Sequence, residues 1–323
     1  MMEVLSSGPL VTVQDDGRPG HLARGLARGG AADALARLEA RALLDEIGAG
    51  IEIPGAPLRL RLHAPALIAL TGAPMRADAA GRRLLWNAAH ALAEGDLLDL
   101  KPSGEGAYSY LHVEGGFDTD TVMGSRAAHL IAGIGMPLAA GDTLPCAASH
   151  GSDRKIVPIP RLGGGMLRLV PTPQTRLFRE GERDRFEATT FTRDPRGNRQ
   201  GVRLAFDGEG FATEGQLNLL SDFILPGDVQ MTGDGVPYIL GPECQTTGGY
   251  PRIGTVIGAD LPRALQAKPG AGLTFRFVTV DEARAATHRR PAATPLVRSP
   301  AEVADLGAMQ LVSGVVSARM EDE

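Results

Sequence analysis

Residues 243–252 bring together the side-chain types that bind and polarise a carbonyl compound or an anion. The run Glu-Cys-Gln-Thr-Thr-Gly-Gly-Tyr-Pro-Arg contains a carboxylate, an amide, two hydroxyls and a guanidinium around a Gly-Gly pair. Apolar runs at 236–240 and 253–257 flank it, which predicts a polar loop held between two strands. Paired glycines let the backbone reach positive φ, so that successive N–H groups converge on an oxygen atom. Thr-Gly-Gly is equally typical of a plain hairpin turn, so these residues alone leave both a site and a turn open.

The side chains of this loop suggest individual roles. Thr246 and Thr247 offer hydroxyl donors, and Gln245 can both donate and accept a hydrogen bond. Arg252 carries a planar, permanently charged group that suits a carboxylate or a phosphate. Glu243, at the entrance of the loop, is the nearest candidate for a general base or for a carboxylate that orients Arg252.

The composition describes a globular chain with many turns. Its 323 residues are 43% hydrophobic and 22% charged, enough for one large domain or two of ordinary size. The net charge of −5 argues against a nucleic-acid partner. The N-terminus lacks the basic and apolar regions of a signal peptide. The longest uncharged stretch in the first hundred residues, residues 63–75, is too short to span a bilayer. We therefore expect a cytoplasmic protein that does not enter a membrane.

Several common catalytic signatures are missing from the sequence. The two cysteines and seven histidines show no metal-binding spacing, so we expect neither a metal site nor a covalent cofactor on this chain. There is no Gly-x-x-x-x-Gly-Lys motif for ATP and no Gly-x-Ser-x-Gly motif of a serine hydrolase. Cys244 touches the polar loop, and we interpret it as a packed small residue. His112 lies within a predicted strand and is expected to pack rather than to catalyse.

The pattern of elements predicts a mainly β chain with a few helices. Residues 58–62 alternate strictly between leucine and arginine, which is typical of a half-buried strand. Residues 31–47 show the leucine spacing of a helix. Residues 146–154 are small, polar and without periodicity, so we place a domain boundary there. The predicted domains are residues 1–153, residues 154–287, and a linker with a helical tail at 288–323.

The loop at 245–252 resembles the most distinctive signature of the biotin-dependent carboxyltransferase-like family. That family includes the C subunit of bacterial 5-oxoprolinase, also called allophanate hydrolase subunit 2, and half of the carboxyltransferase domain of urea carboxylase. Other segments that resemble family motifs are Thr12–Arg18, Ser125–Arg126, Arg199–Leu204 and Leu225–Gln230. The chain departs from these patterns at Thr172, where glycine is usual, at Gln200 and Val202, which replace methionine and tyrosine, and at Glu243, which replaces aspartate.

The resemblance implies a fold of two packed, cyclophilin-like β-barrel lobes. It also implies a subunit of an ATP-dependent 5-oxoprolinase, a hydrolase that opens the cyclic amide 5-oxo-L-proline to L-glutamate and works only within a multisubunit complex. The implied partners are a second cyclophilin-like protein, similar to the B subunit of 5-oxoprolinase, and a hydrolase similar to the A subunit of that enzyme. ATP would be bound within that complex.

Two other functions stay open from the sequence. The same loop suits a carboxyltransferase subunit that moves CO₂ from carboxybiotin on a partner to urea or a similar amide. Some relatives are regulators that antagonise a kinase inhibitor, so an interaction protein without catalytic activity is the third possibility.

We expect the site to be a groove shared by the two lobes, because two separated signatures are best explained if they converge on one pocket. Arg203 is included because it projects opposite to its neighbours Val202 and Leu204 along a strand. The predicted catalytic residues are Glu243, Thr247 and Arg252. The predicted substrate-binding residues are Asp15, Arg18, Arg203, Gln245, Thr246, Gly248, Gly249 and Tyr250.

Overall fold

The computed structural model describes residues 1–213 and 219–296, and most of the regular structure in these ranges is β. The strands before residue 156 are β1 (Met2–Ser7), β2 (Thr12–Gln14), β3 (Gly50–Ile53), β4 (Leu58–Leu62), β5 (Ala66–Gly72), β6 (Met75–Ala79), β7 (Arg82–Leu84), β8 (Ala88–Leu92), β9 (Leu97–Pro102), β10 (Ser109–Val113), β11 (Thr143–Leu144) and β12 (Arg154–Lys155). The strands described after it are β13 (Gly165–Val170), β14 (Phe191–Asn198), β15 (Gly201–Ala205), β16 (Asp222–Phe223), β17 (Asp228–Met231), β18 (Pro237–Leu240), β19 (Thr247–Gly248), β20 (Arg252–Val256), β21 (Gly272–Phe277) and β22 (Thr294–Pro295). The described α-helices are α1 (Ala34–Leu43), α2 (Glu180–Ala188), α3 (Leu261–Gln266) and α4 (Val280–Ala285).

The first half of the chain is built from two sheets with a shared core. One sheet has the order β11-β1-β4-β9-β6-β7, and the other has the order β2-β3-β10-β5-β8-β12-β22. The leucines of β4 are buried and its arginines exposed, as the alternation predicts. Leucine, isoleucine and valine side chains from both sheets form one continuous hydrophobic core.

The second half contains a closed barrel with the strand order β13-β20-β17-β18-β15-β14-β21. Its interior is filled by aliphatic side chains and by a group of phenylalanines that includes Phe186, Phe191 and Phe275. Within β15, Val202 and Leu204 point into this core. The prediction of a mainly β fold of two lobes is confirmed, with a closed barrel in the second half and paired sheets in the first.

Helix α1 shows how local sequence sets an element boundary. The Asp33 side chain accepts hydrogen bonds from the backbone N–H groups of Leu35 and Ala36, which fixes the helix start three residues after the predicted one. The helix ends at Leu43 because Leu44 adopts an extended backbone. The helix is therefore shorter at both ends than its periodicity suggests.

The strands β12 and β22 pair with each other, and β12 also pairs with β8 of the first half. A short segment after residue 153 and another after residue 287 thus extend a sheet of the first half. The domain limits given above stay predictions, and the helical tail predicted from Ser299 onward lies outside the described residues. None of the described helices is long and apolar enough to cross a membrane.

Candidate functional site

A tight hairpin between β14 and β15 carries two side chains in different directions. Asn198 pairs with Gly201, which leaves Arg199 and Gln200 as the two turn residues. The Asn198 side chain accepts a hydrogen bond from the Gln200 N–H at 2.8 Å and so closes the turn. Arg199 is buried between the halves of the molecule, whereas Gln200 lines a recess on the outside of the barrel.

The loop that starts at Gly241 is attached to this turn through its backbone. The N–H of Gly241 donates to the Gln200 carbonyl at 2.8 Å, and the N–H of Glu243 donates to the Arg199 carbonyl at 2.9 Å. Glu243 then points to the same side as Arg199, while Cys244 and Gln245 line the recess with Gln200. The turn and the loop therefore form a thin wall between two environments.

On one side of this wall, Arg199 joins the two halves through buried charges. Its Nε donates to Glu243 at 2.6 Å, its Nη1 pairs with Glu52 of β3, and its Nη2 donates to the Gly30 carbonyl at 2.6 Å. Tyr110 donates its hydroxyl to Glu52 at 2.6 Å. Burial alone lowers the pKa of Arg199, but the carboxylates of Glu52 and Glu243 outweigh it and raise that pKa well above its ordinary value.

A second buried group continues this contact. Arg161 donates to Asp33 at 2.5 Å and to both oxygens of Glu39 at 2.7 Å. Gln266 of α3 donates to Asp33 and to the Tyr108 carbonyl, each at 2.7 Å, and accepts from the N–H groups of Ala107 and Tyr108. We call the buried set of Asp33, Glu39, Glu52, Arg161, Arg199, Glu243 and Gln266 the seam.

The N-terminal motif, Thr12–Arg18, contacts the Ser125–Arg126 motif rather than the polar loop. Asp15 accepts hydrogen bonds from the Gly17 N–H, the Ser125 hydroxyl and the Arg126 N–H, at 2.6–2.7 Å. Its carboxylate therefore holds two loops of the first half together. Asp15 also borders a cavity of about 410 Å³ that is lined in part by Pro242, next to the polar loop.

Arg18 is only 1% exposed and is near enough to Glu243 to feel its charge. Its Nη2 donates to the Ala127 carbonyl, and its Nη1 has no partner among the described residues. Burial lowers its pKa, against the opposing charges of Asp15 and Glu243. His129 also approaches the entrance of the loop, with its Nδ1 3.9 Å from Glu243 Oε2. Its pKa is also lowered by burial, which keeps the imidazole neutral at pH 7.

Glu243 is 1% exposed and is held by Arg199 and by the Ile131 N–H, which donates to it at 3.3 Å. Glu243 thus orients Arg199 and not Arg252, contrary to the sequence-based interpretation. The reason is the chain direction, because Glu243 faces the seam whereas Arg252 lies on the outside of the barrel.

Arg252 is surrounded by acceptors of the second half. Its Nη1 donates to the Phe223 carbonyl at 2.6 Å and to Asp228 at 3.2 Å, its Nε donates to Gln174 at 3.2 Å, and its Nη2 pairs with Asp222. These contacts fasten the segment around β16 to the barrel. The guanidinium of Arg252 is thus paired with two carboxylates of this chain, those of Asp222 and Asp228. Its role toward a substrate carboxylate stays a prediction.

The centre of the polar loop forms a short strand pair. Thr247 and Gly248 of β19 pair with Phe223 and Asp222 of β16, and the Thr247 side chain is exposed. The expectation of positive φ at the Gly-Gly pair is wrong, since neither glycine is among the positive-φ residues. Gly248 allows a close approach instead, because a Cβ there would lie 2.8 Å from Nε2 of Gln230 and the end of that side chain would have to shift.

The recess next to this loop has a volume of about 250 Å³. Ile224, Leu240 and Cys244 are its apolar residues, and they pack as a small cluster of their own. Its polar residues are Arg196, Asn198, Gln200, Gln230, Tyr238 and Gln245. Gln230 is 8% exposed, and its Nε2 has no hydrogen-bond partner among the described residues.

The barrel register explains why these residues share one face. Gln230 of β17 pairs with Tyr238 of β18, which in turn pairs with Arg203 of β15, and Gln230 also pairs with Arg252 of β20. Directly paired residues project to the same side of a sheet. Because the neighbours Val229, Ile239 and Val202 fill the core, this row lies on the outer face.

The structure thus distributes the predicted site residues over several places. Gln245 lines the recess, Arg252 and Arg203 end the polar row beside it, and Arg203 pairs with Asp194 at 2.7 Å. Thr246 is buried, whereas Gly249 and Tyr250 are exposed. Asp15 and Arg18 make no hydrogen bond with Thr247 in the described ranges; they approach the loop only at its entrance, through Pro242 and Glu243. Their common pocket with Thr247 stays a prediction.

Sequence reasoning did not single out Gln230 or Tyr238 as site residues. The available signal was the alternation of Gln230 with the core residues Val229 and Met231, which places it on the outer face of a strand. Its neighbour in space, the polar loop, follows only from the strand pairing.

Both cysteines are free, and Cys244 is buried as expected. Burial, with a smaller contribution from Asp228, raises the pKa of Cys244 to about 12, so its thiol is protonated at neutral pH. Among the described residues, no group of three or more histidine, cysteine, aspartate or glutamate side chains has an arrangement that would hold a metal ion.

Comparisons with known proteins agree with the motifs. The chain is 32% identical to the C subunit of 5-oxoprolinase from Escherichia coli strain K12 over 290 residues, which cover 88% of this chain and 93% of that protein. It is also 32% identical to the C subunit of 5-oxoprolinase from Haemophilus influenzae over 293 residues, with the same coverage.

Solved structures show the same fold in a larger context. Urea amidolyase of Kluyveromyces lactis superposes with a TM-score of 0.78 at 24% identity, over 88% of this chain. The aligned part is 19% of that long protein, so the match concerns one portion of it. The model of the carboxyltransferase domain, subdomain A and B, matches residues 24–277, and the chain belongs to this family.

Proposed function

We propose that this chain is a subunit of an ATP-dependent 5-oxoprolinase-type complex. The complex would hydrolyse the lactam of 5-oxo-L-proline to L-glutamate, with hydrolysis of ATP. The observation that carries the proposal is the 32% identity to two proteins named as the C subunit of 5-oxoprolinase, over 88% of this chain.

The site supports a binding and orienting role for this chain. A lactam is a stable, uncharged amide, so its hydrolysis requires that the carbonyl be held and polarised. The recess is lined by the side chains of Gln230 and Gln245 beside an apolar floor. Thr247 is exposed at the edge of this region and is the best placed hydroxyl of the loop to meet a reacting group brought by another protein of the complex.

The general base is proposed to come from a partner. Glu243 is almost fully buried and its carboxylate is bound by Arg199, so it lacks access to a substrate proton. We propose that a protein similar to the B subunit of 5-oxoprolinase covers the polar loop, and that a hydrolase similar to the A subunit of that enzyme completes the reaction. The names of the relatives, which are subunits, support a multisubunit assembly.

The test is reconstitution of the complex from this chain and the proteins that neighbouring genes encode. We expect isotopically labelled 5-oxoproline to yield labelled glutamate when every protein of the complex and ATP are present, and no product when this chain is omitted. Restoring the chain should restore turnover. Assemblies that leave both 5-oxoproline and ATP unchanged, although their proteins co-purify, would exclude the proposal.

A carboxyltransferase function is the second candidate, because the matching family model is that of a carboxyltransferase domain. In that case a biotin carried by a partner would supply the carboxyl group, and this chain would hold the accepting amide in the same recess. Probing the co-purified partners with streptavidin separates the two functions. A biotinylated partner favours carboxyl transfer, whereas its absence together with glutamate formation favours lactam hydrolysis.

A further inference from the structure

The cavity of about 410 Å³ that Asp15 borders lies where the two halves of the molecule meet, and we call it the junction cavity. The first half lines it with residues of the segment 28–34 and with Arg37 of α1. The second half lines it with α3, with Pro242 and with the pair Leu225 and Pro226. It shares no lining residue with the recess, and its volume lies within the usual range of ligand pockets, about 300–1,000 Å³. The junction cavity is therefore a second place where a small molecule can bind.

Most of the wall of the junction cavity is apolar. The alanines of residues 31–34 line it from the first half, and Leu261, Pro262 and Leu265 of α3 line it from the second. These side chains offer no hydrogen bond, so a polar group placed against them would lose its partners in water without replacement. The part of a ligand that lies between these walls must therefore be apolar, and its burial there is favourable.

The two carboxylates at the junction cavity already have partners. Asp15 is held by the three donors described above, two N–H groups and a hydroxyl. Asp16 pairs with Arg37 and with Arg41, each at 2.7 Å. Both carboxylates therefore make their hydrogen bonds within the chain.

The two guanidinium groups that line the junction cavity keep free donors. Arg28 is exposed; its Nε donates to the Asp16 carbonyl at 2.7 Å, and its Nη1 and Nη2 make no hydrogen bond to a described residue. Arg37 is 3% exposed; its Nε and Nη1 are bonded to Asp16 and to the Gly48 carbonyl, whereas its Nη2 makes no hydrogen bond within the described ranges. The hydrogen-bonding capacity that is left here belongs to positively charged donors, and an anion is their best partner.

A carboxylate suits these groups better than the other common anions. Its two oxygens match the planar fork of a guanidinium. A doubly charged phosphate would be repelled by the ionised Asp15 and Asp16 of the same cavity. 5-Oxoproline and urea are poor ligands for this place, because their amide N–H and C=O groups would face the apolar wall without partners.

We propose that the junction cavity binds a monocarboxylate with an apolar body. The carboxylate pairs with Arg28 and Arg37, and the body lies between α3 and residues 31–34. Such a ligand contacts both halves and also Pro242, the residue directly before the polar loop. This inference goes beyond the proposed function and holds whether or not the complex opens a lactam.

The test is isothermal titration calorimetry of the full-length chain alone. The probe is hydrocinnamate, a carboxylate on a phenyl-bearing chain. Hydrocinnamyl alcohol has the same body without the charge, and acetate has the charge without the body. We expect saturable binding of hydrocinnamate, and at least tenfold weaker binding of the alcohol, of acetate and of 5-oxoproline.

Three results of this titration would overturn the proposal. The first is the absence of saturable hydrocinnamate binding. The second is equal affinity for the acid and the alcohol, which would remove the role of the guanidinium groups. The third is tighter binding of 5-oxoproline than of hydrocinnamate, which would assign the cavity to the substrate instead.

The charge is tested by Arg28→Gln, which changes an exposed side chain and so spares the core. We expect hydrocinnamate to bind at least fivefold more weakly to this variant. Arg24→Gln is the matched control, because Arg24 is an exposed arginine of the same segment that does not line the junction cavity. It should bind hydrocinnamate as the parent protein does.

The space is tested by Gly258→Leu. Gly258 lines the junction cavity, its φ is not in the left-handed region, and a Cβ there would meet no atom within 4 Å. The variant should therefore fold and leave less room for the ligand, with at least fivefold weaker binding. Gly181→Leu is the control, since Gly181 is equally open but lies in α2, away from the lining residues. Unchanged affinity for hydrocinnamate in either Arg28→Gln or Gly258→Leu would place the ligand elsewhere and overturn the proposal.

Discussion

The seam and the recess lie on the two faces of one wall, and they use polar side chains in opposite ways. In the seam, Arg199 has two carboxylates and a carbonyl as partners, and Gln266 makes four hydrogen bonds. In the recess, Gln230 is nearly as buried but keeps an unpaired donor. Satisfied polar groups fix how the halves meet, whereas unsatisfied ones leave hydrogen-bonding capacity for another molecule.

The largest expected effect comes from removing the central cation of the seam. Arg199→Met would leave Glu52 and Glu243 buried without their counter-charge, so we expect a loss of about 3–5 kcal/mol in the free energy of unfolding. Urea denaturation followed by circular dichroism measures it.

Arg203→Met is the matched control, because Arg203 lies on the adjoining strand and its ion pair with Asp194 is partly exposed. We expect it to cost less than about 1 kcal/mol. Equal losses in the two variants would mean that the seam does not hold the halves together more strongly than a surface pair does.

The second prediction compares the same substitution on the two sides of the wall. Gln266→Leu removes the partner of the buried Ala107 and Tyr108 N–H groups and one of the hydrogen bonds to Asp33, so we expect a loss of about 2–4 kcal/mol. Gln230→Leu removes a donor that is already unpaired, so its stability should change by less than about 0.5 kcal/mol. Thermal and urea unfolding of both variants would decide it, and a large loss at position 230 would show that its amide stabilises the fold.

The third prediction concerns the loss of stability at acid pH, which we expect to depend on a buried histidine near the seam. His112 is buried and stacks on Tyr110, and burial, aided by Arg37 and Arg41, lowers its pKa to about 3. Between pH 6.5 and about 3 the unfolded chain binds a proton that the folded chain does not. Stability therefore falls as the pH falls through this window, by about 1.4 kcal/mol per pH unit for this one group.

His112→Leu should remove this part of the pH dependence, because both ring nitrogens lack a hydrogen-bond partner among the described residues. The measurement is the slope of the unfolding free energy between pH 6.5 and 5, above the range in which Asp16, with a pKa of about 2, takes up its proton. A variant with the slope of the parent protein would show that His112 is not the responsible group.

The smallest expected effect is chemical and concerns the floor of the recess. With its pKa raised to about 12 by burial, the Cys244 thiol is almost entirely protonated at pH 8, whereas Cys146 is half-buried and free. We expect a disulfide reagent to label Cys146 at least tenfold faster, as measured by peptide mass spectrometry. Comparable rates would mean that the recess opens to admit the reagent past Ile224 and Leu240.

The sequence allowed the fold class and the family to be predicted, because both depend on local patterns. The alternation at 58–62 and the apolar runs of the barrel give strands, and the helix of residues 34–43 follows from its leucine spacing. The boundaries were less predictable, since they depend on single contacts such as the Asp33 cap.

The candidate site was predicted only in part, since its residues meet through strand pairing across long sequence distances. Gln245 and Cys244 were recognisable because they lie in one short motif. Gln230 joins them only through the register of β17 with β20 and through the close approach of Gly248. The pairing of Glu243 with Arg199 instead of Arg252 depends on which way each side chain leaves its turn, and spacing carries no information about that direction.

The two-residue turn at Arg199 and Gln200 limits how relatives of this chain can diverge. An insertion there would move Arg199 away from Glu52 and Glu243, and it would therefore weaken the contact between the halves. A side-chain exchange at Gln200 changes only the outer face. New substrates should therefore arise by point replacements around the recess, with the length of this turn kept constant.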